Sequence, residues 1–162
     1  MRSLILASLL LVGLASCTPD KRTLCQRFYE PYPDHVSGRA STRGNLMLTE
    51  AMTHYNKGEY AEAANGLRAV VDRNESDLTA RMYLVSALIG AGEPYKAEMH
   101  LDYMENAKDQ NFRDQVEWYN ALCWLCTDQQ AKALQQAQWI AAKPAHAYKD
   151  AAQALALTLT DQ

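Results

Sequence analysis

The chain has 162 residues, of which 16 are Lys or Arg and 19 are Asp or Glu, and its net charge is −3. That length is enough for one domain with a hydrophobic core, and the weakly acidic balance lacks the basic field that attracts nucleic acid. With only 7 Gly and 5 Pro, the composition favours helices over strands.

The first element is an apolar run over residues 4–14, preceded by the basic Arg2. The run is shorter than the roughly 20 apolar residues that a membrane-spanning helix needs, but it fits the apolar region of a secretory signal peptide. We therefore expect a signal peptide over residues 1–16. A buried N-terminal helix is the alternative.

The sequence Leu-Ala-Ser-Cys at positions 14–17 resembles the lipobox of bacterial lipoproteins. The resemblance implies cleavage before Cys17, attachment of acyl chains to this residue and anchoring of the mature protein to a membrane. Several chains are needed for firm anchoring, because each buried methylene contributes about 0.8 kcal/mol. Thr18 stands where an aspartate would retain such a protein at the inner membrane, which implies the outer membrane facing the periplasm. An ordinary signal peptide with an unmodified Cys17 is the alternative.

Residues 17–43 form a predicted linker between the anchor and the helical domain. Pro31 and Pro33 favour extended backbone around Tyr32. Exposed aromatic side chains are unusual in a free tether, so we expect this stretch to lie along the helical domain. Its aromatic residues are Phe28, Tyr29 and Tyr32.

An internal repeat covers the middle of the chain. The stretches 55–67 and 89–101 align without a gap, 34 residues apart, and pair Gly58 with Gly92. A third copy follows when two residues are inserted before it, and it places Asp128 at the glycine position. The glycines predict left-handed turns that end the first helix of each repeat.

The period and these positions resemble the tetratricopeptide repeat family. The resemblance implies an all-α domain over residues 44–162, built as a right-handed α-solenoid of about three helical hairpins. Apolar residues at helical spacing in residues 146–160 predict a last helix that caps the open end of the solenoid.

Three further cysteines follow Cys17: Cys25, Cys123 and Cys126. An exported protein can form disulfides, but an odd number leaves at least one thiol free. Cys123 and Cys126 have the spacing of a redox pair, yet they lie near the C-terminal end of a predicted helix, where the helix dipole disfavours a thiolate. We therefore expect both to be small apolar residues packed in that helix, and a thiol-dependent enzyme is a distant alternative.

No catalytic motif is recognisable in the sequence. It has no nucleophile elbow and no glycine loop for phosphate, and none of its four histidines pairs with another at i,i+3 or i,i+4. We expect a protein that is not an enzyme and that needs no cofactor and no metal.

The tetratricopeptide resemblance also implies a concave groove lined by the first helices of the repeats. Its apolar and aromatic side chains would suit an apolar peptide or an amphipathic helix of a protein partner. Alternatively, the last helix folds back into the groove and the same residues are core. The candidate groove residues are Leu48, Met52, Tyr55, Met82, Tyr83, Trp118 and Tyr119, and Ser86 shares their side of the helices.

Two functional hypotheses follow. The first is a membrane-anchored periplasmic adaptor or scaffold for protein–protein interactions in cell-envelope assembly. The second is a structural or regulatory subunit of an envelope complex that has no peptide groove and is held by its convex face or its ends. Neither the partner nor the oligomeric state follows from the sequence.

Overall fold

A computed structural model describes residues 22–161 and confirms an all-α protein over that range. The predicted signal peptide and Cys17 lie outside the described residues. Within them there are eight helices and no strand. The helices are α1 (Leu24–Phe28), α2 (Leu46–Asn56), α3 (Tyr60–Arg73), α4 (Leu78–Gly90), α5 (Pro94–Glu105), α6 (Arg113–Cys126), α7 (Gln130–Ala141) and α8 (Lys149–Thr160).

The eight helices are short. None of those within the described range is both long and apolar enough to cross a membrane.

Three turns of one kind join α2 to α3, α4 to α5 and α6 to α7. Each contains one residue with a positive φ: Gly58 at 77°, Gly92 at 79° and Asp128 at 58°. The N–H of that residue bonds the carbonyl three residues earlier and the next N–H bonds the carbonyl five residues earlier, over 2.8–3.4 Å. This is the Schellman arrangement, which ends a helix at a left-handed residue. The predicted left-handed turns at Gly58 and Gly92 are confirmed.

Each helix from α2 to α7 packs against the next helix in the chain, and α4 also contacts α6. Small side chains let the helices approach closely, and a Cβ added at Gly66 of α3 would lie 2.8 Å from the Cβ of Ala51 in α2. The small residues at equivalent repeat positions are all buried: Ala51, Ala63, Val85, Ala97, Ala121 and Ala133.

The centre of the core is α4, in which every residue over 80–89 is buried. At the other end of the helical row, α8 packs against α7 and buries Ala152 and Leu155. α8 itself lies against α7, but Tyr148 at its start stacks on Trp118 of α6. The alternative in which the last segment covers the predicted groove therefore holds in part, at Trp118.

Candidate functional site

Residues 23–37, which we call the strap, lie across the helices whose side chains were predicted to line a groove. The strap begins with α1, which packs against α6. At Tyr29 the backbone becomes extended (φ −72°, ψ 121°), and Pro31 and Pro33 restrict the backbone beyond it to extended conformations. The predicted position of this aromatic stretch along the helical domain is confirmed.

Tyrosine hydroxyls of the core bind the main chain of the strap. Tyr119 of α6 donates to the carbonyl oxygen of Glu30 over 2.9 Å. Tyr83 of α4 donates to the carbonyl oxygen of Pro33 over 3.1 Å and accepts from the N–H of His35 over 2.8 Å. These contacts recognise the extended backbone rather than particular side chains.

Ser86 of α4 is a third point of attachment and is fully buried. Its Oγ accepts from the N–H of Tyr32 over 2.9 Å, and its carbonyl oxygen accepts from the Tyr29 hydroxyl over 2.8 Å. The Tyr55 hydroxyl lies 2.7 Å from Ser86 Oγ and 2.9 Å from the Tyr32 carbonyl oxygen. We call the surface formed by Tyr55, Tyr83, Ser86 and Tyr119 the groove face.

Aromatic contacts and a glycine complete the fit of the strap. A Cβ at Gly90 would lie 2.7 Å from the Tyr29 hydroxyl and 2.6 Å from Cδ2 of Tyr60, so the strap needs a glycine at this place. The Tyr29 and Tyr60 rings meet edge to face at 6.0 Å, and Tyr32 packs on Tyr83 at 5.2 Å. Such pairs contribute about 0.5–1.5 kcal/mol beyond their buried area.

The structure places six of the seven candidate groove residues in the interior and leaves Leu48 half-buried. The strap covers the tyrosines, and the ring of Tyr148 stacks on Trp118 at 5.7 Å with 10° between the planes. An external peptide can reach the groove face only by displacing the strap, which corrects the expectation of an open groove. The six interior residues are Met52, Tyr55, Met82, Tyr83, Trp118 and Tyr119.

The tyrosines around the strap are protonated at neutral pH, and burial raises their pKa values further above the ordinary value of 10. The effect is seen for Tyr29, Tyr55, Tyr83 and Tyr119. Their hydroxyls therefore stay neutral hydrogen-bond donors, and the contacts with the strap carbonyls do not titrate in the physiological range.

A disulfide between Cys25 of α1 and Cys126 at the end of α6 closes the strap onto the helices, with a Cα–Cα distance of 4.8 Å across 101 residues of sequence. The expectation that Cys126 is a packed thiol is therefore wrong. Cys123 is buried and free, and burial raises the pKa of its thiol, which makes it a poor nucleophile. The three cysteines allow three pairings, and the sequence alone could not choose among them.

The C-terminal end of the strap is held by the carboxylate of Asp34. It accepts from the N–H groups of Val36 (2.8 Å) and Ser37 (2.9 Å) and from Nδ2 of Asn56 in α2 (2.6 Å). Partial burial alone would raise the pKa of Asp34, but hydrogen bonds from Ser37, Asn56 and Val36 outweigh it and lower the pKa to about 2. The ionised carboxylate is therefore the form that holds the strap.

A second polar cluster lies at the N-terminal end of α6, and no sequence motif marks it. The carboxylate of Glu117 accepts from Arg113 Nε over 3.0 Å, from Lys143 Nζ and from His146 Nε2 over 3.0 Å. Asp114, one helical turn earlier, accepts from the main-chain N–H that follows His146 over 2.8 Å. The spacing of Asp114 and Glu117 was visible in the sequence, but their distant partner was not.

The oxygen and nitrogen atoms of Asp114, Glu117 and His146 lie within 4.8 Å of one another, as in a metal site. However, His146 Nδ1 accepts from the N–H of Tyr148 over 3.1 Å, so the neutral ring carries its proton on Nε2 and donates it to Glu117. A metal would need the lone pair of that nitrogen. The donor set fits an ion-pair cluster that ties α6 to the segment before α8.

A wide cleft opens beside α6, and its lining includes Phe112, whose ring contacts Tyr32 of the strap. It has a volume of about 880 Å³ and lies between the end of α5, the length of α6 and one side of α7. Its apolar lining comes from Leu78, Met104, Phe112, Val116, Trp124 and Trp139. Charged and amide side chains alternate with these residues, so the cleft has no single charge sign.

Comparison of the chain with protein-family models, with curated proteins and with solved structures gave no match.

Proposed function

We propose that the chain is a lipid-anchored, tetratricopeptide-like scaffold or adaptor of the bacterial cell envelope. Its three helix pairs form a right-handed solenoid that α8 caps. Its own strap closes the groove face, so it contacts protein partners through its outer surface, as a structural or regulatory subunit does. The observation that carries the proposal is the strap seated on the groove face.

The repeated turns support the solenoid. Gly58 and Gly92 are 34 residues apart, Asp128 follows after 36, and all three have left-handed backbone. Repeats that pack only on their neighbours build a solenoid, and the packing of each helix on the next fits that arrangement.

The disulfide supports export. Disulfides persist in oxidising compartments such as the bacterial periplasm and are rare in the cytosol. Cys25–Cys126 closes a large part of the chain, which fits a protein that works outside the cytoplasm. Together with the lipobox resemblance at Cys17, this favours a domain held at the outer membrane on its periplasmic side.

An exposed apolar stripe on α5 supports contact through the outer surface. Tyr95, Met99 and Tyr103 are 66%, 69% and 42% exposed, and their spacing of four residues puts them on one face of the helix. Clustered exposed apolar side chains mark protein–protein contact surfaces more often than single ones do.

The test compares two substitutions at sites of nearly equal exposure, Met99→Glu on α5 and Leu157→Glu on α8 (69% and 66% exposed). We expect Met99→Glu to abolish co-purification of the partner from native membranes and Leu157→Glu to leave it intact, measured by quantitative mass spectrometry. In a further arm, Cys17→Ala should give an uncleaved precursor without acyl chains. Equal partner recovery in both glutamate variants, or normal cleavage and membrane retention of Cys17→Ala, would contradict the proposal.

A further inference from the structure

We infer that the strap is a tethered ligand of the groove face, held by a disulfide latch, and that a dithiol reductant opens this face to a partner peptide of the same chemistry. That chemistry is an extended backbone with an aromatic residue between two prolines, as in Pro31-Tyr32-Pro33. The proposed scaffold function uses the outer surface, whereas this inference concerns the groove face. It does not require the lipid anchor at Cys17.

Most polar contacts of the groove face are with the main chain of the strap, and the Tyr29 hydroxyl, which donates to the Ser86 carbonyl oxygen, is the exception. Tyr119, Tyr83 and Ser86 bind the carbonyl oxygens of Glu30 and Pro33 and the N–H groups of residues 32 and 35. Another peptide with the same extended backbone offers the same groups. Prolines hold that conformation before binding, which lowers the conformational entropy lost on binding.

Much of the strap lies on the surface of the helices, although Val36 near its end is buried in the core. The residues on either side of Tyr32 are exposed, whereas the groove tyrosines beneath them are buried. A cavity of about 300 Å³ remains between the strap prolines and the rings of Trp118, Tyr119 and Tyr148. The strap thus leaves part of its own site unfilled, and a peptide with a larger side chain at this place would fill it.

The latch is accessible to reduction. Cys25 and Cys126 are both partly exposed, whereas Cys123 is buried. A thiolate of the dithiol attacks one sulfur of the disulfide, and its second thiol then resolves the mixed disulfide. Two electrons pass to Cys25 and Cys126, which become thiols, and the dithiol becomes a disulfide. After this step the strap is held by reversible contacts alone.

A partner peptide is favoured over a second copy of this chain as the occupant. In each copy the strap already occupies its own groove face, and the tether keeps its effective concentration in the millimolar range. A second copy therefore has no free strap to offer. A partner peptide is not tethered elsewhere and competes with the strap as soon as the latch is reduced.

The experiment uses a fluorescein-labelled peptide with the sequence of residues 27–36, RFYEPYPDHV, and measures its fluorescence anisotropy with the full chain. We expect no binding by the oxidised protein or by oxidised Cys123→Ala, in which the latch is intact. Reduction with dithiothreitol, or the change Cys25→Ser or Cys126→Ser, should allow binding. Adding Tyr32→Ala to Cys25→Ser weakens the tethered competitor and should lower the apparent Kd at least about tenfold.

Two controls tie the binding to the groove face. In the Cys25→Ser, Tyr32→Ala background, adding Ser86→Ala and Tyr119→Phe should remove binding, and so should alanine in place of both prolines of the peptide. The inference is overturned if the released protein keeps its helical circular dichroism spectrum but does not bind the peptide at about 1 mM. It is equally overturned if the released chains dimerise through their straps without binding the peptide, or if both serine variants unfold.

Discussion

Ser86 and the tyrosines around it show how single residues define the groove face. The serine lies on α4 between apolar neighbours and is fully buried, so its hydroxyl needs a partner. The strap supplies one partner through the N–H of Tyr32, and the Tyr55 hydroxyl of α2 supplies another. The side of α4 on which Ser86 lies could be predicted from helical periodicity. The role of Ser86 in holding the strap could not be predicted, because the N–H that it binds belongs to a residue 54 positions away.

Asp34 makes the attachment of the strap dependent on pH. Its pKa falls from the ordinary value of 3.8 to about 2 in the folded protein, so folding favours the ionised form. The resulting stabilisation is fully present above about pH 4 and is lost as the pH falls towards 2. Replacing Asp34 with Asn removes this contribution.

We therefore predict that the free energy of unfolding of the wild type exceeds that of Asp34→Asn at pH 5, and that the difference disappears towards pH 2. Urea denaturation at several pH values measures it. In an Asn56→Ala background, which lacks one of the donors to the carboxylate, Asp34→Asn should change the free energy of unfolding at pH 5 by less. A difference that stays constant between pH 5 and pH 2 would show that the charge of Asp34 does not hold the strap.

At the scale of the helices, the turns were the most predictable feature. The glycines at 58 and 92 predicted left-handed residues because glycine has no Cβ to clash there, and both have positive φ. The alignment placed Asp128 at the position equivalent to the two glycines, 36 residues after Gly92. The backbone of Asp128 is also left-handed. Local backbone chemistry determines these turns, so a single sequence was sufficient.

Asp128 is the strained member of the three turns, which gives a matched set of substitutions. Asp128→Gly should raise the free energy of unfolding by roughly 0.5–1 kcal/mol, whereas Gly58→Ala should lower it by about 1–2 kcal/mol. Gly38→Ala is the control, because its φ is not positive and a Cβ there would meet nothing within 4 Å. Urea unfolding at constant pH measures all three. If Gly58→Ala and Asp128→Gly both changed the free energy of unfolding in the same direction, the two turns would not be equivalent.

At the scale of the whole molecule, the helical class and the contact of the strap with the helices could be predicted, but the closure of the groove face could not. The aromatic residues of the strap predicted burial without saying where. The apolar stripes of α2, α4 and α6 were compatible with either an open groove or a covered one. Long-range contacts such as Tyr119 with Glu30 and Cys25 with Cys126 depend on the tertiary arrangement, which no local pattern specifies.

The disulfide should make a large contribution to stability, because it closes a loop of 101 residues. The loss of such a cross-link costs about 2–5 kcal/mol, chiefly through the freedom that the unfolded chain gains. We predict that Cys25→Ser lowers the thermal midpoint and makes it insensitive to dithiothreitol. Cys123→Ala should keep the sensitivity to dithiothreitol, and scanning calorimetry with and without the reductant distinguishes the two. A wild-type midpoint that does not change on reduction would contradict this prediction.

The position of the disulfide also determines how the molecule carries mechanical load. Tension applied at the N-terminal end of the chain reaches Cys25 before it reaches the hydrogen bonds of residues 29–37, and the covalent bond passes it to the end of α6. While the bond is intact, a pull cannot peel the strap from the groove face one contact at a time. Once it is reduced, the same pull loads those weak contacts in sequence, and a much smaller force detaches them.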